Sequence, residues 1–491
     1  MTIDTIINLI KSRHPETDVT MLKLAYDYAE EAHRGQKRIS GDDYIQHPLE
    51  TAYKLVEYNL DMPTVIAGIL HDVPEDTPRT IEDIKKNFGS EVASLVNGIT
   101  KLGKIKYRGL ERYAENLRKM FVAMAEDVRV IFIKFADRIN NLKTLSALPP
   151  VKQKRIAMET LEIYAPIANR LGMGELKGEL EDLSFPYVYP EEYKWIRQIS
   201  QKKYEERKKY TEQVIKKITK ELSANSTVKI VKIEGRAKHY FSLYQKLLKH
   251  DRDIEKIYDL VAVRLLVERI DDCYNALGHI HGLWAPVPNR IKDYIARPKP
   301  NGYQSLHTAV YADDGRIVEF QIRTQKMHEE AEFGIAAHWT YKEYSGKKTS
   351  VPLPPEKLKW IKDLLAEQEK TTSPENYLTT IKLDFFTNRI FVLTPHGDVI
   401  DLPENATPID FAYHIHTDLG HHCAGARVND KIAALDTPLK NGDMVEIISD
   451  KNRKGPSDDW LSIAQTHMAR HKIQEYFRKQ RKLSIFKLFG K

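Results

Sequence analysis

Two imidazoles and two carboxylates stand out in the N-terminal part of the chain: His47, the adjacent His71 and Asp72, and Asp137. Mixed nitrogen and oxygen donors of this kind suit a divalent manganese, iron or zinc ion. Glu75 and Asp76 follow the doublet at helical spacing, which on an unbroken helix would put them on its face. Pro74 intervenes and disfavours helical geometry at Val73. The helix is therefore expected to end near the doublet, with Glu75 and Asp76 on the turn that follows. There the pair would position or deprotonate a water activated by the metal. Asp137, Asn141 and Thr144 recur at i, i+4 and i+7, one face of a helix. Asp137 would reach the metal while Asn141 and Thr144 face the substrate. His33 reads as an ordinary satisfied histidine outside this set.

A second group of chemically capable residues lies further on. In GRAKHYFSLYQKL, Lys238, Ser242 and Lys246 fall at i, i+4 and i+8, a stripe along one helix. Arg236 and Lys238 would stand at its start, where free backbone N–H groups favour anions, so the segment reads as a triphosphate cradle. RIVEFQIRT alternates: Val318, Phe320 and Ile322 point one way, Glu319, Gln321 and Arg323 the other. An acid on the polar face can hold phosphate-bound Mg²⁺, and Asp259, at the head of another expected strand, would supply a second carboxylate. Two carboxylates, one metal and several cations are what phosphoryl-type transfer needs. In RPKPNGYQSLHT, Tyr303 can stack on a purine, and Asn301 and His307 can hydrogen-bond phosphate or ribose. No GxxxxGK[ST] loop is present, so this is not a Walker nucleotide site.

The elements that must carry these residues change character along the chain. Residues 1–192 have apolar positions at helical spacing, and 193–226 read as a charged helical connector. Residues 227–345 mix short β-branched runs with helical segments, the pattern of an α/β domain. A Pro/Ser/Lys-rich linker is expected over 346–382. A small unit follows at 383–448, opening with a hairpin whose turn is HGD. Residues 449–491 read as a basic helical tail. The net charge is +7, and residues 451–491 alone carry 11 Lys/Arg against 3 Asp/Glu. The excess positive charge thus sits in the tail, where it would suit contact with an anionic polymer such as RNA. Cys273 and Cys423 are too far apart in sequence to suggest a disulfide framework or a thiolate zinc site, which fits a reducing cytoplasm. No segment is apolar enough to span a bilayer, and the charged start does not read as a signal peptide.

KRISGDDYIQHP, ILHDVPEDT, TKLGK and ADRINNLKT, then GRAKHYFSLYQK, YDLVAVRLLV, RPKPNGYQSLHT and VEFQIRT, occur in the order seen in the RelA/SpoT alarmone enzymes. The sequence from DFFTNRIFVLTP to GARVN resembles their TGS domain. The resemblance covers essentially the whole chain. It implies an all-α HD-type hydrolase domain, an α/β nucleotidyltransferase-like synthetase domain and a small β-grasp-like TGS domain. It implies two opposed activities. One transfers the pyrophosphate of ATP to the 3′-OH of GDP or GTP, making (p)ppGpp. The other removes the 3′-pyrophosphate from (p)ppGpp.

By motif, the resemblance places Mn²⁺ on His47, His71, Asp72 and Asp137, with Glu75 and Asp76 serving the attacking water. Arg38, Asn141 and Thr144 would line the nucleotide pocket. In the synthetase, Arg236, Lys238, Lys246 and Lys299 would bind ATP phosphates, with Ser242 beside them. Asp259 and Glu319 would hold Mg²⁺, Glu319 also taking the proton of the 3′-OH. Tyr303 would stack on guanine near Asn301, His307 and Gln321. Arg290-Ile291-Lys292-Asp293 resembles the RxKD motif of bifunctional members. Gln245, Pro74 and the ADRIN text depart from common family patterns. The chain also reads as a short form ending after TGS. Deacylated tRNA and the ribosome, or acyl carrier protein, are the partners the TGS domain implies, with His416 the candidate tRNA contact. Competing readings are an enzyme with one silent site, hydrolysis surviving, and a non-catalytic tRNA- or ribosome-binding sensor, which would show decayed metal ligands. Two opposed sites on one chain would run a futile cycle, so mutually exclusive conformations coupled through residues 193–222 are expected.

Overall fold

The computed structural model describes residues 1–103, 109–225, 228–257, 260–299, 301–337, 360–361, 364, 389–396, 398–440, 442–450, 452–453 and 455–489. Asp259 and nearly all of the 346–382 linker lie outside them. The chain divides into two compact units, Met1–Lys106 with Asn116–Leu365, and Tyr107–Glu115 with Ala366–Lys491.

The first unit opens with helices α1 (Ile3–Arg13), α2 (Thr20–Ala32), α3 (Gln46–Glu57), α4 (Met62–Leu70), α5 (Val73–Asp76), α6 (Ile81–Gly103), α7 (Gly109–Glu126, which belongs to this unit from Asn116 onward) and α8 (Arg129–Lys143). Asp61 caps α4 by accepting from Thr64 N–H at 3.1 Å, with a proline in the first turn. The helix stops at Leu70, and α5 is a separate single turn. Glu75 and Asp76 therefore sit on the turn after the doublet, but Val73 is itself the first residue of that helical turn, with Pro74 in its first turn where a proline is tolerated. Nearly every residue of α8 from Val130 to Leu142 is buried, so α8 runs through the bundle interior.

Then come α9 (Pro150–Glu159), a π-helical turn (Thr160–Tyr164), α10 (Ala165–Arg170), α11 (Gly174–Val188) and α12 (Pro190–Asn225). At about 1.5 Å per residue α12 is roughly 54 Å long. It is more than a connector. Ile196 packs with Phe185, Leu243 and Leu247, while Val214, Ile218 and Leu222 enter the core of the sheet that follows.

That sheet comprises β1 (Ile230–Ala237), β2 (Val261–Val267), β3 (Lys292–Asp293), β4 (Leu306–Tyr311) and β5 (Ile317–Thr324) in the order β1-β2-β5-β4-β3. The β2–β5 pair is parallel and the others antiparallel. Helices α13 (Tyr240–Leu248), α14 (Ile270–Leu283) and α15 (Gln325–Phe333) complete it. Val318, Phe320 and Ile322 join the core as their alternation requires. The opposite face is not solvent: Gln321 and Arg323 are buried as well.

The second unit has hairpin β6 (Arg389–Leu393) and β7 (Val399–Pro403), helices α16 (Pro408–Ile415) and α17 (Thr417–His421), and the antiparallel strands β8 (Cys423–Val428), β9 (Lys431–Ala433) and β10 (Val445–Ser449). A parallel bridge from Leu393 to Met444 links hairpin and sheet, and Phe411 of α16 packs between them, a β-grasp arrangement. The tail forms α18 (Trp460–Ile463) and α19 (His467–Phe489), and Trp460, Ala464, Ala469 and Ile473 pack against Ile409, Tyr413 and Cys423. Both cysteines are free and buried. Among the described residues no helix is long and apolar enough to cross a membrane.

Candidate active sites

Three helices and one turn bring the first constellation together. His47 comes from the first turn of α3, His71 and Asp72 from the break between α4 and α5, and Asp137 from the middle of α8. Donor atoms of His47, His71 and Asp137 all lie within 4.8 Å of one another, and His33 is not among them. Asp72 bridges the imidazoles, with oxygens 3.4 Å from His47 Nε2 and 3.1 Å from His71 Nε2. Asp137 Oδ1 lies 3.3 Å from His47 Nε2.

The outer hydrogen bonds decide what this cluster can hold. His71 Nδ1–H donates to the Gly68 carbonyl at 2.8 Å, and His47 Nδ1–H to Asn140 Oδ1 at 2.5 Å. Both rings therefore turn a bare Nε2 toward the carboxylates. Among the described residues the buried His71 Nε2 has no hydrogen-bond partner. Acceptors facing acceptors in a buried pocket are a mismatch that a divalent cation resolves, so these residues fit a metal centre.

Charge around the cluster is graded. Burial alone would raise Asp137, but the Lys134 ammonium, 2.6 Å from Oδ2, holds its carboxyl well below the usual range. Burial, then the charge of Asp72, pushes Glu75 up to about 7. The Tyr44 hydroxyl lies 2.9 Å from Asp72 and 2.5 Å from Asp76, donating to one at a time. Arg38 is drawn in through Asn140 at 2.5 Å and Asn141 at 2.7 Å, and Asn141 donates to Asp137 Oδ1 at 2.5 Å. Thr144 terminates α8, its hydroxyl turned back to the Asn140 carbonyl.

In the second constellation β3, β4 and β5 set the geometry. Cross-strand register places His307 between Lys292 and Gln321. His307 Nδ1 is 3.6 Å from Glu319 Oε1, its Nε2 is 2.8 Å from the Tyr303 hydroxyl, and Gln321 Nε2 is 3.5 Å from Glu319. The Lys299 ammonium lies 5.0 Å from the Tyr303 ring centroid and 4.7 Å from that of Tyr294. Burial, then Lys292, lowers Lys299 to about 8. Asp293 accepts from the Tyr274 hydroxyl at 2.9 Å and from two backbone N–H groups, pinning the turn that bears Arg290 and Lys292. Asn301 joins this cluster through the backbone of Tyr303, whose N–H donates to Asn301 Oδ1 at 3.3 Å, while its amide donates to the Asn169 carbonyl at the end of α10.

The expected Lys238–Ser242–Lys246 stripe is corrected by the fold. Arg236 lies on β1, Lys238 precedes α13, and only Ser242 and Lys246 are helical. Pairing of Lys238 N–H with the Leu260 carbonyl extends the sheet register past Ala237 and delays the helix. The start of α13 is also engaged: Asp182 of α11 accepts from Phe241 N–H at 2.9 Å.

The sequence reading missed Asn140, Tyr44 and Lys134 around the metal-type cluster, and Arg264, Arg323 and Glu332 in the sheet half. Arg323 bonds Glu332 at 3.0 Å, and Arg264 lies 3.3 Å from the same carboxylate. For Asn140, Tyr44 and Arg264 the signal was weak because their partners sit on distant elements, whereas Lys134 stands only three residues from Asp137 on the same helix. His416 is largely exposed and caps α17 by accepting from Asp418 N–H at 3.2 Å.

Residues 25–174 match the HD domain, 235–346 the region found in RelA/SpoT proteins, and 390–449 the TGS domain. The chain is 47% identical over 460 residues to a guanosine-3′,5′-bis(diphosphate) 3′-pyrophosphohydrolase of Aquifex aeolicus, covering 94% of this chain and 65% of that one. It is 45% identical to a GTP pyrophosphokinase of Streptomyces coelicolor, covering 98% and 58%. To the bifunctional (p)ppGpp synthase/hydrolase SpoT of Escherichia coli it is 43% identical, covering 96% and 67%. The chain thus spans roughly three fifths to two thirds of the length of these relatives. With its HD, synthetase-type and TGS domains in the same order as its motifs, the chain belongs to the RelA/SpoT family.

Proposed function

We propose that this chain both makes and destroys (p)ppGpp. The observation that carries the reading is the pair of chemically distinct constellations in one unit, acceptors converging on a cation site in the helices and Glu319–His307–Tyr303 on the sheet. In hydrolysis, His47, His71, Asp72 and Asp137 would hold Mn²⁺, which would supply phosphate polarisation and a more acidic water. Glu75, near neutrality, takes the proton of the attacking water, with Asp76 and Tyr44 orienting it. Water adds to the phosphorus on O3′, the P–O3′ bond breaks, the proton taken by Glu75 passes to O3′, and pyrophosphate separates from GDP or GTP. Arg38, Asn141 and Thr144 line the nucleotide side.

In synthesis, Asp259 and Glu319 hold Mg²⁺. Glu319 accepts the proton of the 3′-OH, which bonds to the β-phosphorus of ATP as AMP departs. Arg236, Lys238, Ser242, Lys246 and Lys299 surround the triphosphate, and Arg290 and Lys292 the approach to it. Tyr303 stacks on guanine beside Asn301, His307 and Gln321. A cytoplasmic setting suits these substrates. Deacylated tRNA meeting the exposed His416, with the ribosome along the basic tail, is the favoured regulatory contact over acyl carrier protein.

The test is direct. The protein is incubated with ATP, GDP and Mg²⁺, and separately with ppGpp and Mn²⁺, and products are resolved by chromatography. Asp72→Ala should abolish hydrolysis alone and Glu319→Gln synthesis alone. Hydrolysis untouched in Asp72→Ala would remove the metal assignment.

A further inference from the structure

Helix α11 belongs to the helical half, yet its acidic face touches the phosphate-type turn of the sheet half. Asp182 accepts from Phe241 N–H at 2.9 Å through Oδ1 and from His239 Nδ1–H at 2.8 Å through Oδ2. Glu175, two turns earlier, lies 3.3 Å from His239 Nε2 and 3.6 Å from Arg236 Nη2. The helix sits flush against this turn. A Cβ on Gly178 would come within 2.2 Å of the His239 ring, so only glycine allows the approach. At the N-terminal end of α11 the seam continues, with Ile335 N–H donating to the Leu171 carbonyl at 2.9 Å.

The two acids differ in access. The Asp182 side chain is 24% exposed and Glu175 49%. Asp182 is therefore a fixed strut, whereas Glu175 stands at the open edge in the field of His239, Arg236 and Arg264. A carboxylate there makes the same charge-assisted contact with a guanidinium that a phosphate would make, with fewer oxygens and less charge.

We propose that α11 is part of the synthetase site: Asp182 is a positioning residue for the Arg236–Lys238 turn, and Glu175 is an internal competitor that the ATP triphosphate displaces from Arg236. This deepens the functional reading above and rests on Arg236 binding ATP phosphates. Because Glu179 on the same helix pairs with Lys54 of α3 at 2.8 Å, the competitor is borne by an element that also contacts the metal-bearing helices.

Steady-state synthesis with ATP varied at fixed GDP, and the converse, separates the roles, with ppGpp hydrolysis as a control for intact folding. Glu175→Gln should lower KM for ATP roughly two- to fivefold, the range of an exposed ion pair, leaving KM for GDP and kcat unchanged. Asp182→Ala should raise KM for ATP, and Asp182→Asn should recover most of the loss, since its oxygen still caps Phe241 N–H. Arg236→Gln should raise KM for ATP and erase the effect of Glu175→Gln in the double variant. If Arg236→Gln leaves KM for ATP unchanged, the phosphate assignment fails and this proposal with it. If Arg236→Gln raises it while Glu175→Gln does not lower it, the assignment stands and the competitor role is overturned.

Discussion

Asn140 shows how one amide can set the chemistry of a site. Its Oδ1 accepts from His47 Nδ1–H, fixing the tautomer that turns Nε2 inward, and it also accepts from Arg38. Its Nδ2 donates to Glu50, which prevents the amide from flipping. Removing such an outer partner loosens both ring orientation and basicity, so Asn140→Ala should weaken Mn²⁺ binding by roughly 10- to 100-fold. Titration calorimetry with Mn²⁺ measures this, and unchanged affinity would show that His47 is oriented otherwise. Lys299 carries the second residue-scale prediction. Its pKa is lowered to about 8, by burial first and then by Lys292. Burial favours the neutral form, so as pH rises through about 8 the ammonium is lost and KM for ATP should climb. Lys299→Arg should remove that rise, because guanidinium stays charged. A flat KM profile across this range in the parent protein would rule out Lys299 as a phosphate contact.

Between elements, buried acids act as latches. Asp410 closes the capping box of α16 by accepting from Thr407, and also accepts from Thr466 N–H at 2.8 Å and Gln465 N–H at 3.0 Å. The fully buried carboxylate thus ties the tail to α16. Asp410→Ala would orphan several buried donors and should cost about 3 kcal/mol or more. A fall in the denaturant midpoint followed by Trp460 fluorescence would report it, and a tail that is merely a loose basic arm would give no change. The α11–α13 latch is pH-sensitive. Burial opposes charge on His239, but Asp182 and Glu175 outweigh it and raise its pKa to about 9. The charged ring therefore stabilises the fold fully below about 6.5, and that contribution fades as pH rises through about 9. Thermal melts of Asp182→Ala should lose much of this alkaline decline.

On the scale of the whole molecule, two chemically distinct constellations share one unit, with α11 and α12 as the elements common to both halves. Val214, Ile218 and Leu222 of α12 are core residues of the sheet, and α11 reaches α3 through Glu179 and α13 through Asp182. A rearrangement favouring one site therefore moves packed elements of the other. With saturating ATP, GDP and ppGpp, and both metals present, the two rates should not both reach their separately measured maxima. Full additivity would sink the idea of exclusive states.

Local chemistry determined much of this protein. The convergence of His47, His71 and Asp137, the break after Leu70, the buried alternation of Val318, Phe320 and Ile322, and the order of the three domains were legible because each depends on residue type and near spacing. Tertiary structure alone decided the rest. Register past Ala237 took Lys238 out of the helix, α15 met the second face of β5 through His328 and Glu332 at Arg323, and α10 accepted one hydrogen bond from the Asn301 amide. Asn140, Asp182 and Asp410 matter through hydrogen bonds to groups far along the chain. Such pairings follow from which elements pack together, and periodicity within an element carries no record of its neighbour.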